Sequence, residues 1–449
     1  MIPEDFLKNI AASHGVSELE WDVLRLSIDG KSIKAIAEGL AINEGTVRKR
    51  LSDIYKKFHI DGKGPVKLAK LQHLLVNQYQ ELSGEEVSSN LIANIDSFVG
   101  DKLPLDAPQT QDWGEAPEVS VFYGRKAELE TTRQWILENR CRLVALLGMG
   151  GIGKTNLAVK LAKQIQDKFE FIIWRSLDNQ PLPQDFITDA IVFLSNQEET
   201  ELPADINEKI SLLIKYLRQR RCLLVLDAFE NVLRSGDRFG RYEKECEDYG
   251  ILLKRLGETE HQSCLLLCSQ EKPREITFLE NPKGLVKSLQ VEGLKVEDAE
   301  QILQEQGLTA KEHWKSLIDY AQGNPFALKI VGATIKDLFN GNVAEFTKHN
   351  TWVFGDFRTI LDEQWNRLSK LEKQMMQCLA TEAKAVPLSK LKKEIPQIST
   401  SELIETLASL KRRALIDTSN QNKDESQTSY YLEYLIKKYV KKYHLSHDE

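Results

Sequence analysis

No apolar run in this chain approaches the ~20 residues that a membrane-crossing helix needs; stretches such as LVALLG and CLLVLD end after a handful of positions. The opening MIPEDFLKNI carries acids where a secretion signal is basic, and no apolar core follows it. Cysteine is scarce, six in 449 residues, and no C-x-x-C pair occurs, so neither a disulfide framework nor a zinc knuckle is indicated. The thiols read as buried core residues of a protein in a reducing cytoplasm. Cys264 and Cys268 fall in a strand-like run, on one face and about 13 Å apart at ~3.3 Å per residue, too far for a shared bridge or metal. Charge excess is lacking too: a net charge of −7 attracts neither nucleic acid nor an acidic membrane, so any basic surface must be local. No internal repeat of about 20–50 residues is present.

What is present is the composition of a soluble globular protein, 41% hydrophobic and 28% charged, long enough for two to four domains of roughly 100–200 residues. Residues 1–80 read as short helices with tight turns. Residues 81–118 are richer in Ser, Gly, Asp and Pro and read as a linker. From 119 to 285, apolar β-type runs alternate with helical stretches, which predicts a parallel sheet flanked by helices. The remainder is mostly helical.

Within the alternating block, RLVALL leads into GMGGIGKT and then NLAVKLAKQI, with Leu157, Leu161 and Ile165 at helical spacing. Strand, glycine loop and helix follow in the order that a phosphate-binding loop requires. The glycines let backbone N–H groups curl around phosphate oxygens, and the helix start adds its positive dipole end. Lys154 would reach the β- and γ-phosphates, and the Thr155 hydroxyl would ligate magnesium. A second apolar run, CLLVLD, brings Asp227 to the carboxyl edge of the sheet, where it would hold the magnesium shell. The expected ligand is ATP or ADP with Mg2+.

Together these residues resemble the NB-ARC branch of the STAND ATPases, over about residues 119–445. The resemblance begins at VFYGRKAEL, similar to the family's opening motif, which places Tyr123, Gly124 and Arg125 at the nucleotide. It continues through Gly148, Gly150, Gly151, Ile152, Gly153, Lys154, Thr155 and Asn156 and through LLVLD. GNPFALKI is similar to a G-x-P motif whose proline, here Pro325, packs on adenine. The resemblance implies a P-loop α/β domain over 119–285, a helical domain over 286–355 and a winged helix over 356–449. In the last, Leu361, Trp365 and Leu368 mark a helix, SELIETLASLKRRALIDTS a helix and strand, and NQNKDESQ a polar wing. It also implies a switch: closed with ADP, open and self-associating with ATP. Relatives usually carry propeller, tetratricopeptide or leucine-rich repeats as sensors, and a sensor or effector protein is an implied partner.

Three positions differ from the family pattern. Ala228 stands where many relatives carry a second acid, leaving Asp227 and the nearby Glu230 as candidate catalytic carboxylates. Gln270 stands at the sensor arginine, and SYYLEYLIKKYV supplies no counterpart of the winged-helix histidine. These differences imply slow hydrolysis at most, because a neutral side chain does not offset charge developing on a γ-phosphate.

Residues 17–60 contain three apolar stripes: Leu19, Val23 and Leu26; Ile33, Ile36, Ala37 and Leu40; and Val47, Leu51, Ile54 and Phe58. Gly30 separates the first two helices, and Asn43 suits the N-cap of the third. The pattern is that of a helix-turn-helix, and it closely resembles the LuxR type, including the E-G-T-V start of the recognition helix. Residues 46–57 carry five basic side chains and one acid. Thr46, Arg48, Lys49, Arg50, Ser52 and Lys56 are the candidate DNA-binding residues; Asp53 shares their face. A protein partner for this helix is the alternative. PVKLAKLQHLLVNQYQEL reads as a fourth, amphipathic helix packed on the core through Val66, Leu68, Leu71, Leu74 and Leu75, with His73 at its boundary.

Overall fold

The computed structural model describes residues 4–28, 36–37, 39–40, 42, 44–58, 71, 74–75, 110–196, 202–349, 355–419 and 428–445. The chain divides into two compact units, Met1–Ala107 and Pro108–Glu449.

In the first unit, helices span Glu4–Ser13, Glu18–Ile28 and Glu44–Lys57. Val23, Leu24, Leu26, Val47, Ile54 and Phe58 are buried, as are Ile36, Ala37, Leu71 and Leu75. One stripe residue departs from expectation: Leu19 is 62% exposed, and Leu24 takes its place in the core. Glu20 of the same helix is buried too, and Lys57 pairs with it at 2.6 Å. Ser17 donates both its backbone N–H and its hydroxyl to the same carboxylate, each at 2.7 Å. Gly30, Ile33, Asn43, Val66, Leu68 and His73 lie outside the described residues.

The second unit holds a six-stranded sheet in the order β1-β3-β4-β5-β2-β6, every neighbouring pair parallel. The strands are β1 (Gln111–Asp112), β2 (Leu143–Leu147), β3 (Phe171–Ser176), β4 (Cys222–Asp227), β5 (Cys264–Ser269) and β6 (Val286–Gln290). The central β2, β4 and β5 are buried throughout, which is why they read as unbroken apolar runs. Alternate residues serve opposite faces: Leu143, Ala145 and Leu147 join one core, Val144 and Leu146 the other. Cys264 and Cys268 share the second face. Five cysteines are buried, whereas Cys378 is half-buried.

Both edge strands lie outside the 119–285 boundaries read from the sequence. Gln111 and Asp112, placed in the linker, pair with Ile172 and Ile173, and Trp113, Ala116 and Val119 pack on the core. Val286–Gln290, placed in the helical domain, pairs along all of β2. An edge strand is half-exposed and short, so neither segment shows the apolar run that marks the central strands.

Beyond β6 come helices Val296–Glu305, Trp314–Ala321, Pro325–Leu338 and Val343–Lys348, then Phe357–Asn366, Lys370–Thr381, Leu388–Glu394, Thr400–Arg412 and Tyr434–His444. The later helices enclose a small antiparallel sheet of β7 (Val386–Pro387), β8 (Asp417–Ser419) and β9 (Ser429–Tyr431), in the order β7-β9-β8. Leu361 and Trp365 lie in a helix that ends at Asn366, so Leu368 is a buried residue of the turn beyond it. The polar wing at 420–427 lies outside the described residues. A single apolar cluster runs from Leu294 through Val440, and Met149 of the glycine loop inserts into it. Among the described residues no helix is long and apolar enough to cross a membrane.

Candidate nucleotide site

The site begins where β2 ends. Gly148 has φ +151° and lies so close to the Val291 carbonyl that a Cβ would be 2.7 Å from its oxygen. Gly151 and Gly153 have φ of +73° and +98°, conformations that side chains resist, and Gly153 caps the helix Lys154–Ile165. Lys154 is buried, and its ammonium donates to the carbonyls of Gly148 at 2.9 Å and Met149 at 3.1 Å. Burial pushes its pKa down, while the carboxylates of Glu230 and Asp227 oppose that shift.

The Thr155 hydroxyl donates to Asp227 Oδ1 at 3.0 Å. Burial raises the Asp227 pKa to about 6, and the Glu230 charge adds to the rise; the bond from Thr155 works against it. After Asp227 the backbone turns at Ala228, φ +55°, into a single 3-10 turn, Phe229–Val232. That turn buries Glu230 and lets its Oε2 accept the Gln270 N–H at 3.1 Å. Glu230 thus reaches the site two positions after the place where an acid was sought.

Arg125 caps the helix Lys126–Leu137, donates to the Ile152 carbonyl at 3.0 Å and pairs with Glu128 at 2.8 Å. Its guanidinium therefore braces the phosphate loop from behind. Tyr123 donates to Glu305, and its hydroxyl pKa is raised to about 12 by burial and by that carboxylate. Gly124, φ +59°, leaves no room for a Cβ against Asp298.

A cavity of about 310 Å³ opens over the loop, lined by Gly150, Gly151, Gly153, Lys154, Thr155 and Asn156 on one side. Asp227, Ala228, Glu230, Gln270, Pro325, Phe326 and Lys329 line the other. A cavity of this size suits a ligand of nucleotide dimensions. Among the residues singled out from sequence, the cavity gathers Gly150, Gly151, Gly153, Lys154, Thr155, Asn156, Asp227, Ala228, Glu230, Gln270 and Pro325. Gly148 and Ile152 shape the loop from outside the lining, as do Arg125 and the Tyr123–Gly124 pair.

Sequence reasoning missed Asn324, Ile360, Gln364 and Arg367. Ile360 lies against Gly150, where no Cβ would fit. Gln364 donates to Gln270 Oε1 at 2.7 Å, and Arg367 donates to the carbonyls of Glu230 and Leu233 at 2.7 and 3.0 Å. These three belong to or directly follow the helix Phe357–Asn366, and they meet the site only through tertiary packing. Asn324 did have a signal, since it directly precedes Pro325 in the G-x-P motif.

Two family models match the chain: the NB-ARC domain over residues 125–233, and the bacterial regulatory proteins of the luxR family over residues 14–65. The chain carries an NB-ARC domain and, ahead of it, a LuxR-type helix-turn-helix domain. The NB-ARC domain has the P-loop NTPase fold, and such domains bind nucleotide. An uncharacterized WD repeat-containing protein of Nostoc sp. is 45% identical over 331 residues, 71% of this chain and 26% of the relative. The disease resistance protein RPM1 of Arabidopsis thaliana is 29% identical over 92 residues, 19% of this chain and 10% of that protein. The chain thus spans about a quarter or less of these relatives' length. Among solved structures, a STAND protein with a tetratricopeptide repeat sensor from Pyrococcus horikoshii shares 19% identity at a TM-score of 0.38, covering 76% of this chain and 45% of that one. A Walker-type ATPase of Pyrococcus abyssi shares 13% identity at 0.49, covering 71% and 96%.

In the LuxR-type domain, Lys49 and Lys56 are exposed and Thr46 is half-exposed on the helix Glu44–Lys57. Arg50 donates to the Leu19 carbonyl at 3.2 Å, and Lys56 lies 3.7 Å from Asp53. The side chains of Arg48 and Ser52 lie outside the described residues. The basic end of the Thr400–Arg412 helix is engaged within the chain: Lys411 with Asp417 at 2.5 Å, Arg412 with the Arg238 carbonyl, and Arg413 with Glu271 at 2.7 Å.

Proposed function

We propose that this protein is a STAND-type signalling switch that holds ATP or ADP with Mg2+ in the cavity over the Gly148–Thr155 loop and delivers its output through the helix-turn-helix, as a nucleotide-regulated transcription regulator. The observation that carries the reading is the 3.0 Å approach of Thr155 to Asp227 beside a buried Lys154. A hydroxyl and a carboxylate at that spacing are the oxygen donors a hard cation takes, and Lys154 needs only to exchange two loop carbonyls for phosphate oxygens. Bound magnesium would polarise the phosphate oxygens. Pro325, in the cavity wall, would pack on the base. Asp227 and Glu230 would be the catalytic carboxylates, and neutral Gln270 together with Ala228 supports slow hydrolysis at most.

The arrangement with Ile360 against Gly150 and Gln364 bonded to Gln270 supports a closed, diphosphate-holding state, from which ATP would release the C-terminal helices and permit self-association. Free cysteines suit a cytoplasmic protein. Five segments are proposed: the helix-turn-helix within 1–80, a linker ending near 109, the NB-ARC core from 110 to 291, a helical segment to 355 and a winged helix from 356.

The test is to denature the purified chain and identify any released nucleotide by chromatography; stoichiometric ADP is expected, and an empty site in every preparation would overturn the reading. DNA binding after ATP exchange should be salt-sensitive and lost in Lys49→Ala/Arg50→Ala.

One observation favours a second output. Arg50 and Lys57 are turned toward Leu19 and Glu20 of the helix Glu18–Ile28, and Leu19 is 62% exposed. A helix-turn-helix with this face suits a protein effector. In that case, or with a separate sensor protein bound, the double variant would leave DNA binding unaffected and abolish partner capture.

A further inference from the structure

Asn324 is 1% exposed, and both halves of its side-chain amide are committed. Its Oδ1 caps the helix Pro325–Leu338 by accepting the N–H groups of Phe326 at 3.1 Å and Ala327 at 3.2 Å. Its Nδ2 points the other way, donating to the Gly150 carbonyl at 3.1 Å and lying 3.8 Å from Met149 Sδ. The same helix start holds a second loop carbonyl, because the Phe326 N–H also reaches Gly151 O at 3.4 Å. Gly151 in turn lies so near Phe326 that a Cβ would be 2.8 Å from that residue's own Cβ.

In a planar trans peptide the C=O of one residue and the N–H of the next point in opposite directions. Holding the Gly150 carbonyl toward Asn324 therefore turns the Gly151 N–H to the opposite side, as an anion cradle of backbone amides requires. An ordinary N-cap does not do this. Asn342 caps the helix Val343–Lys348 by accepting Glu345 N–H at 3.2 Å, and among the described residues its side chain makes no bond to the loop. Met149 adds a second tie, since its side chain is buried in the apolar cluster of the helices beyond β6.

We propose that Asn324 is a positioning residue for nucleotide binding: its amide orients the Gly150–Gly151 peptide of the phosphate loop and links that loop's geometry to the helix Pro325–Leu338. The role rests on the nucleotide reading above and concerns a residue that never needs to touch the ligand. Serine keeps an N-cap acceptor but does not carry the Nδ2 donor, so Asn324→Ser separates the two duties. Asn324→Asp also keeps the cap and presents a carboxylate oxygen to the Gly150 carbonyl.

The test uses the full chain and a fluorescent ADP analogue with Mg2+, measuring affinity and release rate alongside thermal stability for wild type, Asn324→Ser, Asn324→Asp and Asn342→Ala. The expected result is roughly tenfold weaker binding for Asn324→Ser, as for one lost buried hydrogen bond, and a larger loss for Asn324→Asp. Asn342→Ala should lose comparable stability yet bind as wild type. Wild-type affinity in a folded Asn324→Ser or Asn324→Asp overturns the proposal while leaving the nucleotide reading intact. No binding by the wild type removes both, and is recognised by its occurring without any substitution.

Discussion

Gln364 donates its side-chain amide to Gln270 at 2.7 Å, joining the helix Phe357–Asn366 to the residue that follows β5. Gln270 is also tied to Glu230 through its backbone N–H, so a displacement of this helix is felt at the carboxylate beside Lys154. Gln364→Ala should speed release of bound nucleotide by about five- to tenfold, the effect of one hydrogen bond in a partly buried place. A chase with excess unlabelled ADP measures it. An unchanged rate would show that this helix does not restrain the bound ligand.

Lys154 ties the loop together through two carbonyls, and in the proposed function it is the cation that meets phosphate. Lys154→Ala should abolish the thermal stabilisation that nucleotide confers, a linkage effect of about 2.7 kcal/mol when ligand is at 100 times its dissociation constant. Thermal unfolding with and without Mg-ADP tests this. A variant that still shifts with ADP would mean that the loop is not the binding site.

Arg413, Glu271 and Glu372 form a buried ionic group between the end of β5 and the C-terminal helices, with the half-buried Arg367 at its edge. Arg413 reaches Glu271 at 2.7 Å and Glu372 at 3.1 Å, and Arg367 lies 3.5 Å from Glu271. Burial raises the Glu271 pKa, with the two arginines opposing it. Arg413→Ala leaves Glu372 without an ion partner and Glu271 with only the longer Arg367 contact, and should cost about 3–5 kcal/mol in urea unfolding. A loss below about 1 kcal/mol, the worth of an exposed pair, would show that water reaches the group.

Glu20 links the helix-turn-helix helices through Lys57. Burial alone would raise its pKa, but the bonds from Lys57 and Ser17 outweigh that and bring it down to about 2 from the ordinary 4.5. A carboxyl depressed on folding stabilises the fold above its unfolded pKa and loses that contribution as pH falls toward the folded value. The N-terminal unit should therefore weaken between about pH 4.5 and 2, and Glu20→Gln should be less stable at neutral pH with a flatter profile through that window. Hydrogen exchange in the segments 18–28 and 44–57 reads both.

The central strands, the glycine loop and the helix behind it were legible because each is a local pattern: a strand buried on both faces must be apolar along its whole length. The edge strands Gln111–Asp112 and Val286–Gln290 were not, since a half-covered strand needs no such run. Leu19 misled for a related reason. Periodicity ranks apolar side chains but does not see the Lys57 ammonium that pairs with Glu20 beside Leu19.

The glycine loop was thus legible in sequence alone, because its glycines, Lys154 and Thr155 lie within eight contiguous residues between an apolar strand and the helix that follows. What surrounds the loop was decided by tertiary structure. Asn324, Ile360, Gln364 and Arg367 come from distant segments, and their side chains are ordinary residues in any local window. They become part of the site because Asn324 Nδ2, the Gln364 amide and the Arg367 guanidinium find partners across the packing interface and Ile360 packs on Gly150, and no local pattern records which element that will be.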